Sequence, residues 1–322
     1  MRLCDPVARQ VRHLATIVAL ACIPAAPACA ADAAPSGTAD DLVIMSTTDS
    51  RGSFLPCGCH VPKGGLPRRA AAVDSVRALY SRTLVVDGGA VFPDLPEGRR
   101  VGTFLMQSMA KIGTSAVGVG NCDLSSGLQF LRETANEANL PLTCANLVER
   151  SSGRTAFEAS RLVRAGDVNV GVFALLAPDA ERGPAADSLV ITEPAHVARR
   201  TIADLRRRGA TVIVLLSQLG EGATDRLAAE VHGIDVVIAG NNPATRTEGH
   251  RAGDALVAAG GAKGYFVGVT QVELDGQLRP AGSMSRAFML GPDVRSQPEM
   301  LGRALAFEKT LPKEPQASPG KD

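Results

Sequence analysis

The sequence predicts an α/β fold, layered and built on largely parallel strands, from three observations. Short β-branched, apolar runs alternate with longer segments whose apolar residues recur at helical spacing. The alternation persists along most of the 322 residues and recurs as a second set after the midpoint. The chain is 45% hydrophobic but only 3% aromatic, with no Trp, so a substantial core must be packed from Val, Leu, Ile and Ala.

Leu42-Val43-Ile44-Met45 is the first expected strand, and Leu66 to Leu79 the first helix, with Ala70, Ala71, Val73 and Val76 on its buried face. Thr83 to Val86 is a strand ending at Asp87-Gly88-Gly89. Helix Val101 to Ile112, strand Ser115 to Val119, helix Ser126 to Asn139 and strand Pro141 to Cys144 follow. The second set is strand Val168 to Leu175, helix Ala195 to Arg208, strand Thr211 to Leu216, helix Gly222 to Val231 and strand Asp235 to Ala239. Ala255 to Ala259 and Val267 to Leu274 read as a closing pair, with Asp275-Gly276 as a turn. With no helix between them, these last strands predict a mixed sheet or a second sheet.

The expected domain organisation is a signal peptide over 1–30, a flexible leader over 31–40, one domain over 41–290, and a C-terminal helix with a disordered tail over 291–322. Arg2, Arg9 and Arg12 precede the apolar stretch Leu14 to Ile23, and Ala28-Cys29-Ala30 offers a small-x-small cleavage site. A periplasmic or secreted location follows. Lipid anchoring through Cys22 is the less favoured alternative, because Leu20 sits where a smaller residue would be expected. No other stretch is long and apolar enough for a transmembrane segment. Net charge is +1 and no basic stripe is interleaved with aromatics, which argues against nucleic acid as a partner. Of seven cysteines, Cys57, Cys59, Cys122 and Cys144 survive cleavage, and export makes a disulfide the default expectation.

Four loops carry the chemistry: Asp49-Ser50-Arg51-Gly52, Cys57-Gly58-Cys59-His60, Gly120-Asn121-Cys122-Asp123 and Asn241-Asn242-Pro243. Each leaves the end of an expected strand, where ligand sites of α/β proteins gather. The order of motifs from about Leu42 to Leu274 resembles the calcineurin-like metallophosphoesterases, specifically the catalytic domain of periplasmic 5'-nucleotidases. The resemblance rests on Asp-x-x-Gly at 49–52, Gly-Asn-x-Asp at 120–123, Leu-Ser-x-Leu-Gly at 216–220, Gly-Ile-Asp-Val-Val-Ile-x-Gly at 233–240 and Ala259-Gly260-Gly261-Ala262-Lys263-Gly264. It implies an αββα layered domain of mixed, largely parallel sheets. It also implies two divalent metals that activate water and clamp a phosphoryl group.

Carried over position by position, Asp49 and Asn121 match metal ligands. Arg51 stands where a His is expected, Ala90 where a bridging Asp is expected, and Gln218, Asn241 and Pro243 where further His ligands are expected. Cys122 replaces the His that follows the Asn ligand. Arg does not deprotonate to ligate, and Ala and Pro offer no side-chain donor. The resemblance therefore implies an exported protein with a degenerate dimetal site, binding an anion or partner rather than hydrolysing nucleotides.

Arg51, with Arg68 and Arg69 opening the next helix, forms a candidate site for a small anion or phosphorylated ligand. The bland alternative is that Arg51 merely neutralises a vacated site. Pro56-Cys57-Gly58-Cys59 followed by Gly64-Gly65-Leu66-x-Arg68-Arg69 is similar to a motif in a branch of exported nucleotidase-like proteins. Cys57, Cys59, His60 and Cys122 could hold one soft divalent metal, zinc or copper, which would make the chain a phosphoester hydrolase with a rebuilt site; Cys122 and Arg51 would then be the catalytic residues. The thiols could instead form a redox pair. A disulfide among Cys57, Cys59 and Cys122, stapling a long loop, is the structural alternative.

Overall fold

A computed structural model describes residues 40–312. The leader and cleavage-site reading, and the tail beyond Pro312, lie outside the described residues. Strands β1 (Leu42–Thr47), β2 (Thr83–Asp87), β3 (Ala116–Gly118) and β4 (Leu142–Thr143) run parallel at the centre and one edge of a six-stranded sheet. Its other edge is antiparallel: β13 (Phe266–Leu274) pairs with β1, and β14 (Pro280–Met289) pairs with β13. In the second six-stranded sheet, β7 (Val168–Leu176), β9 (Val212–Gln218), β10 (Val236–Ala239) and β12 (Ala255–Val257) are parallel. The edges β6 (Ser160–Ala165) and β11 (His250–Ala252) are antiparallel to their neighbours. A small pair, β5 (Leu147–Glu149) with β8 (Leu189–Ile191), lies apart.

The period of two in each strand explains the layering. In β1, Leu42 and Ile44 face Val170, Val172, Val214 and Val236 in a core between the two sheets. Val43 and Met45 point the other way, into the core beneath α1 (Leu66–Arg77), α2 (Gly98–Ile112) and α3 (Leu128–Ala138). The second sheet repeats the arrangement: Ile213, Leu215 and Val237 face α4 (Pro194–Arg207) and α5 (Glu221–Glu230). Both sheets are thus buried on both faces, which is why their strands read as near-continuous apolar runs. The C-terminal helix α6 (Pro298–Glu308) packs onto the outer layer. Met300 and Ala304 are buried there, and Phe307 stacks on Phe104 with ring centroids 4.2 Å apart.

Two sequence expectations need correction. Ala255 to Ala259 and Val267 to Leu274 are not paired: β12 joins the second sheet and β13 the first. The Asp275-Gly276 turn instead leads into β14, a strand of Gly, Ser, Ala and Arg at the sheet edge, too polar for its pattern to be seen. In α1 the buried face includes Ala72, while Ala71 is half-buried.

Candidate functional site

The parallel strands β1, β2, β3, β9 and β10 all end at one edge, so their outgoing loops meet there. The β1 and β2 loops are joined by backbone bonds: the Asp49 N–H donates to Gly89 O (2.8 Å), Arg51 N–H to Ala90 O (3.0 Å) and Gly52 N–H to Val91 O (3.0 Å). Positive φ is unusual for non-glycine residues. Asp49, Arg51, Ala90, Asn241, Asn242 and Lys263 all adopt it at this edge, leaving Asn139 and Leu278 as the other instances among the described residues. Such concentration of disfavoured backbone marks a place where the surrounding fold dictates loop shape.

Asp49 is fully buried, and its carboxylate is crowded with donors. It accepts from the Asn241 and Asn242 backbone N–H groups (3.0 and 3.1 Å), from Thr48 Oγ1 (2.7 Å), from Arg51 (3.4 Å) and from Gln218 Nε2 (3.5 Å). Gln218 is also fully buried and donates to Gly88 O at 3.1 Å. Thus Gln218, the last residue of β9 and the one that stands where the resemblance expects a His, ties the two sheets together. The Arg51 side chain keeps about a third of its surface exposed.

Asp123 is a loop organiser. It accepts four backbone N–H bonds, from Ala90 (3.0 Å), Val91 (2.7 Å), Phe92 (3.1 Å) and Gly120 (2.7 Å). Burial pushes its carboxyl up to about 6, against the pull of those four N–H groups. Asp87 is equally buried and is held by Thr47 Oγ1 (2.5 Å), Gly89 N–H (2.9 Å) and Arg69 (2.9 Å). Burial raises its pKa, while Arg69 opposes the rise. Sequence reasoning did not find this buried Arg69–Asp87 pair, because its partners lie on a helix and a strand end eighteen residues apart.

The three arginines proposed from sequence therefore separate. Arg69 faces Asp87 in the interior, and Arg68 donates to the carbonyls of Pro62 (2.8 Å) and Leu290 (3.0 Å). Arg51 alone stands at the Asp49 loop with an open face. Among the described residues, buried side-chain atoms without a hydrogen-bond partner include Ser50 Oγ, Arg51 Nε, Arg69 Nη2, Asn121 Oδ1 and Gln218 Oε1, all carried by this end of the molecule. A small cavity nearby is lined by Thr47, Thr48, Pro243 and His250, and its lining does not include Arg51, Asn121 or Cys122.

The cysteines also separate. Cys57 and Cys59 form a disulfide, with Cα atoms 5.3 Å apart, while Cys122 and Cys144 are free. The bond spans a single residue, so it does not staple the long loop. Chain-entropy reasoning gives about 1.5 kcal/mol for so short a ring, against about 3 for a fifteen-residue loop. Cys122 is half-buried, and its thiol is raised far above the usual range by burial and by Asp123, with Arg51 opposing and Asp49 adding. Cys144 is buried in the outer core, where burial pushes its thiol up to about 12. His60 is exposed beside Cys59. The expected soft-metal set of Cys57, Cys59, His60 and Cys122 is not assembled: among the described residues no three His, Cys, Asp or Glu side chains gather to hold a metal.

No protein-family profile matches the chain. Its fold is that of solved 5'-nucleotidases and calcineurin-like phosphoesterases. A 5'-nucleotidase precursor of Thermus thermophilus superposes with a TM-score of 0.76 at 23% identity, over 84% of this chain and 58% of that one. Sulfate thiohydrolase SoxB of the same organism superposes at 0.75 and 17% identity, over 87% and 62%. In sequence, the 5'-nucleotidase of Vibrio cholerae serotype O1 is 24% identical over 206 residues, 61% of this chain. The chain spans only 37% of the length of that relative. Fold and sequence together make the chain similar to the 5'-nucleotidases and the calcineurin-like phosphoesterases.

Proposed function

We propose that this is an exported 5'-nucleotidase-like protein whose dimetal site is degenerate and which binds a small anion or phosphorylated ligand instead of hydrolysing nucleotides. The observation that carries this reading is the state of Asp49: its carboxylate is already satisfied by two backbone amides, Thr48 and Arg51. Two hard cations need several carboxylate and imidazole donors. Of the positions that would supply them, Asp49 and Asn121 keep donors of the expected type, Arg51 brings a fixed cation, and Ala90 and Pro243 bring no donor atom. The residues present do not fit a dimetal centre.

Anion binding is supported by Arg51, whose Nε is buried without a partner, whose side chain keeps about a third of its surface exposed, and whose charge acts on the Cys122 thiol. Export is supported by the leader residues before Ala31 alone. Metal analysis after incubation with manganese, followed by an AMP hydrolysis assay, tests the first half of this reading. The expected result is neither bound manganese nor released phosphate. Two manganese ions per chain together with AMP hydrolysis would refute it, and one tightly held zinc or copper would favour a rebuilt site. Calorimetric titration with inorganic phosphate tests the second half: binding is expected, and Arg51→Ala should weaken it roughly tenfold.

A further inference from the structure

We infer that Cys57 and Cys59 form an exchangeable disulfide that accepts electrons from an external protein dithiol, with Cys59 the sulfur attacked and Cys57 the leaving thiolate. This site stands apart from the Asp49–Arg51 loop reading and does not depend on it. Four observations carry it.

Exposure is asymmetric. Gly58, Cys59, His60, Val61 and Pro62 are exposed, whereas Cys57 is half-buried, so an incoming thiolate meets Cys59 first. A side chain added at Gly58 would meet nothing within 4 Å, so the approach is open. Exposed disulfides are the labile ones.

The half-buried sulfur is prepared to leave. The Lys63 N–H donates to Cys57 Sγ at 3.3 Å, while the Cys57 N–H donates to Lys63 O at 2.9 Å. A backbone donor aimed at sulfur favours the thiolate, and a lower-pKa thiol leaves faster.

The bond is not needed to hold the loop. Leu66 N–H reaches Phe54 O (3.0 Å), Gly64 N–H reaches Leu290 O (2.9 Å), and Arg68 fixes Pro62 and Leu290. The disulfide closes a ring across one residue and adds little to these restraints.

Neither free thiol suits internal attack. Cys122 is half-buried beside Asp123, and Cys144 is fully buried with its thiol directed to Asn146 Oδ1 at 3.7 Å. The attacking group must therefore come from outside. In the first step a thiolate of the partner attacks Cys59 Sγ. A new sulfur–sulfur bond forms, the Cys57–Cys59 bond breaks, and the electron pair leaves on Cys57 Sγ, which takes a proton from water. In the second step the partner's other thiolate attacks its own sulfur of the mixed disulfide, and Cys59 leaves. The partner dithiol is oxidised by two electrons and the Cys57–Cys59 pair is reduced by two.

The test uses the whole chain, oxidised, mixed under native conditions with a thioredoxin whose resolving cysteine is changed to serine. A mixed disulfide that maps to Cys59 is expected. With the intact thioredoxin and its reductase, two new thiols should appear, and the melting temperature should move by no more than about 4 °C. The C57S/C59S variant should fold and give no adduct. The inference is overturned by an adduct that maps to Cys57, by adduct formation only after the chain is unfolded, by an adduct in C57S/C59S through Cys122, or by loss of the fold on reduction.

Discussion

Replacing Arg69 by Met should destabilise the fold strongly, and the loss should shrink as pH falls. Asp87 has no exposed surface and Arg69 only 5%, and their contact is 2.9 Å. Removing one partner of such a pair leaves an uncompensated buried charge, a change that costs about 3–5 kcal/mol. Asp87 keeps its bonds from Thr47 and Gly89, so about 3 kcal/mol is the expected figure for Arg69→Met. For a domain of this size that is roughly 6–12 °C in melting temperature.

Burial already raises the Asp87 pKa, and Arg69 is the largest influence opposing it. Without Arg69 the folded-state pKa rises further above the unfolded value. The folded variant then binds a proton that the unfolded chain does not, so it regains stability as pH falls. Urea unfolding at pH 8 and pH 5.5 reads this directly. The companion R69M/D87N, which removes the charge but keeps an acceptor for Thr47, should recover at least half the loss at pH 8. Equal stability of R69M and the wild type, or a deficit that grows toward low pH, would show that Asp87 is not a buried charge held by Arg69.

Asp123 should make the protein more stable as pH falls. Its folded pKa of about 6 exceeds the ordinary 3.8, so its contribution is complete below about 4 and is lost as pH rises through 6. Chemical denaturation from pH 4 to 7 should show the wild type losing about 3 kcal/mol relative to D123N across that window. Arg51→Ala should alter stability by less than about 1 kcal/mol, because the side chain is about one-third exposed and its contact with Asp49 is long at 3.4 Å; denaturant melts check this. Phe307→Ala should cost about 2 kcal/mol by removing a half-buried ring stacked on Phe104, and protease should then cut at α6 before the remainder of the domain.

The elements most legible in the sequence were those buried on both faces. β1, β7 and β9 show as unbroken runs because both of their faces are dry, and α2 and α4 show clear one-sided apolar spacing. β6, β11 and β14 were missed because edge strands carry Arg, Ser and Gly on their wet sides. At the candidate site, the positions of Asp49, Arg51, Asn121, Cys122 and Asn241 on strand-end loops, and of Gln218 in the Leu-Ser-x-Leu-Gly run, were readable from motif order. Their contacts were not. Nothing local distinguishes Arg69, which faces a buried carboxylate, from Arg68, which faces two carbonyls.

By itself the sequence determined the layered α/β class, the strand-end loops and the residue types that stand at Arg51, Ala90 and Pro243, because periodicity and side-chain chemistry are local properties. Only the tertiary structure decided which groups meet. It sent β12 and β13 into different sheets, gave Arg69 to Asp87, and used Asp123 to hold four backbone N–H groups. It also joined Cys57 to Cys59 and left Cys122 alone. The physical reason is that pairing energies depend on distance and burial, which arise only when segments far apart in the chain are packed against one another.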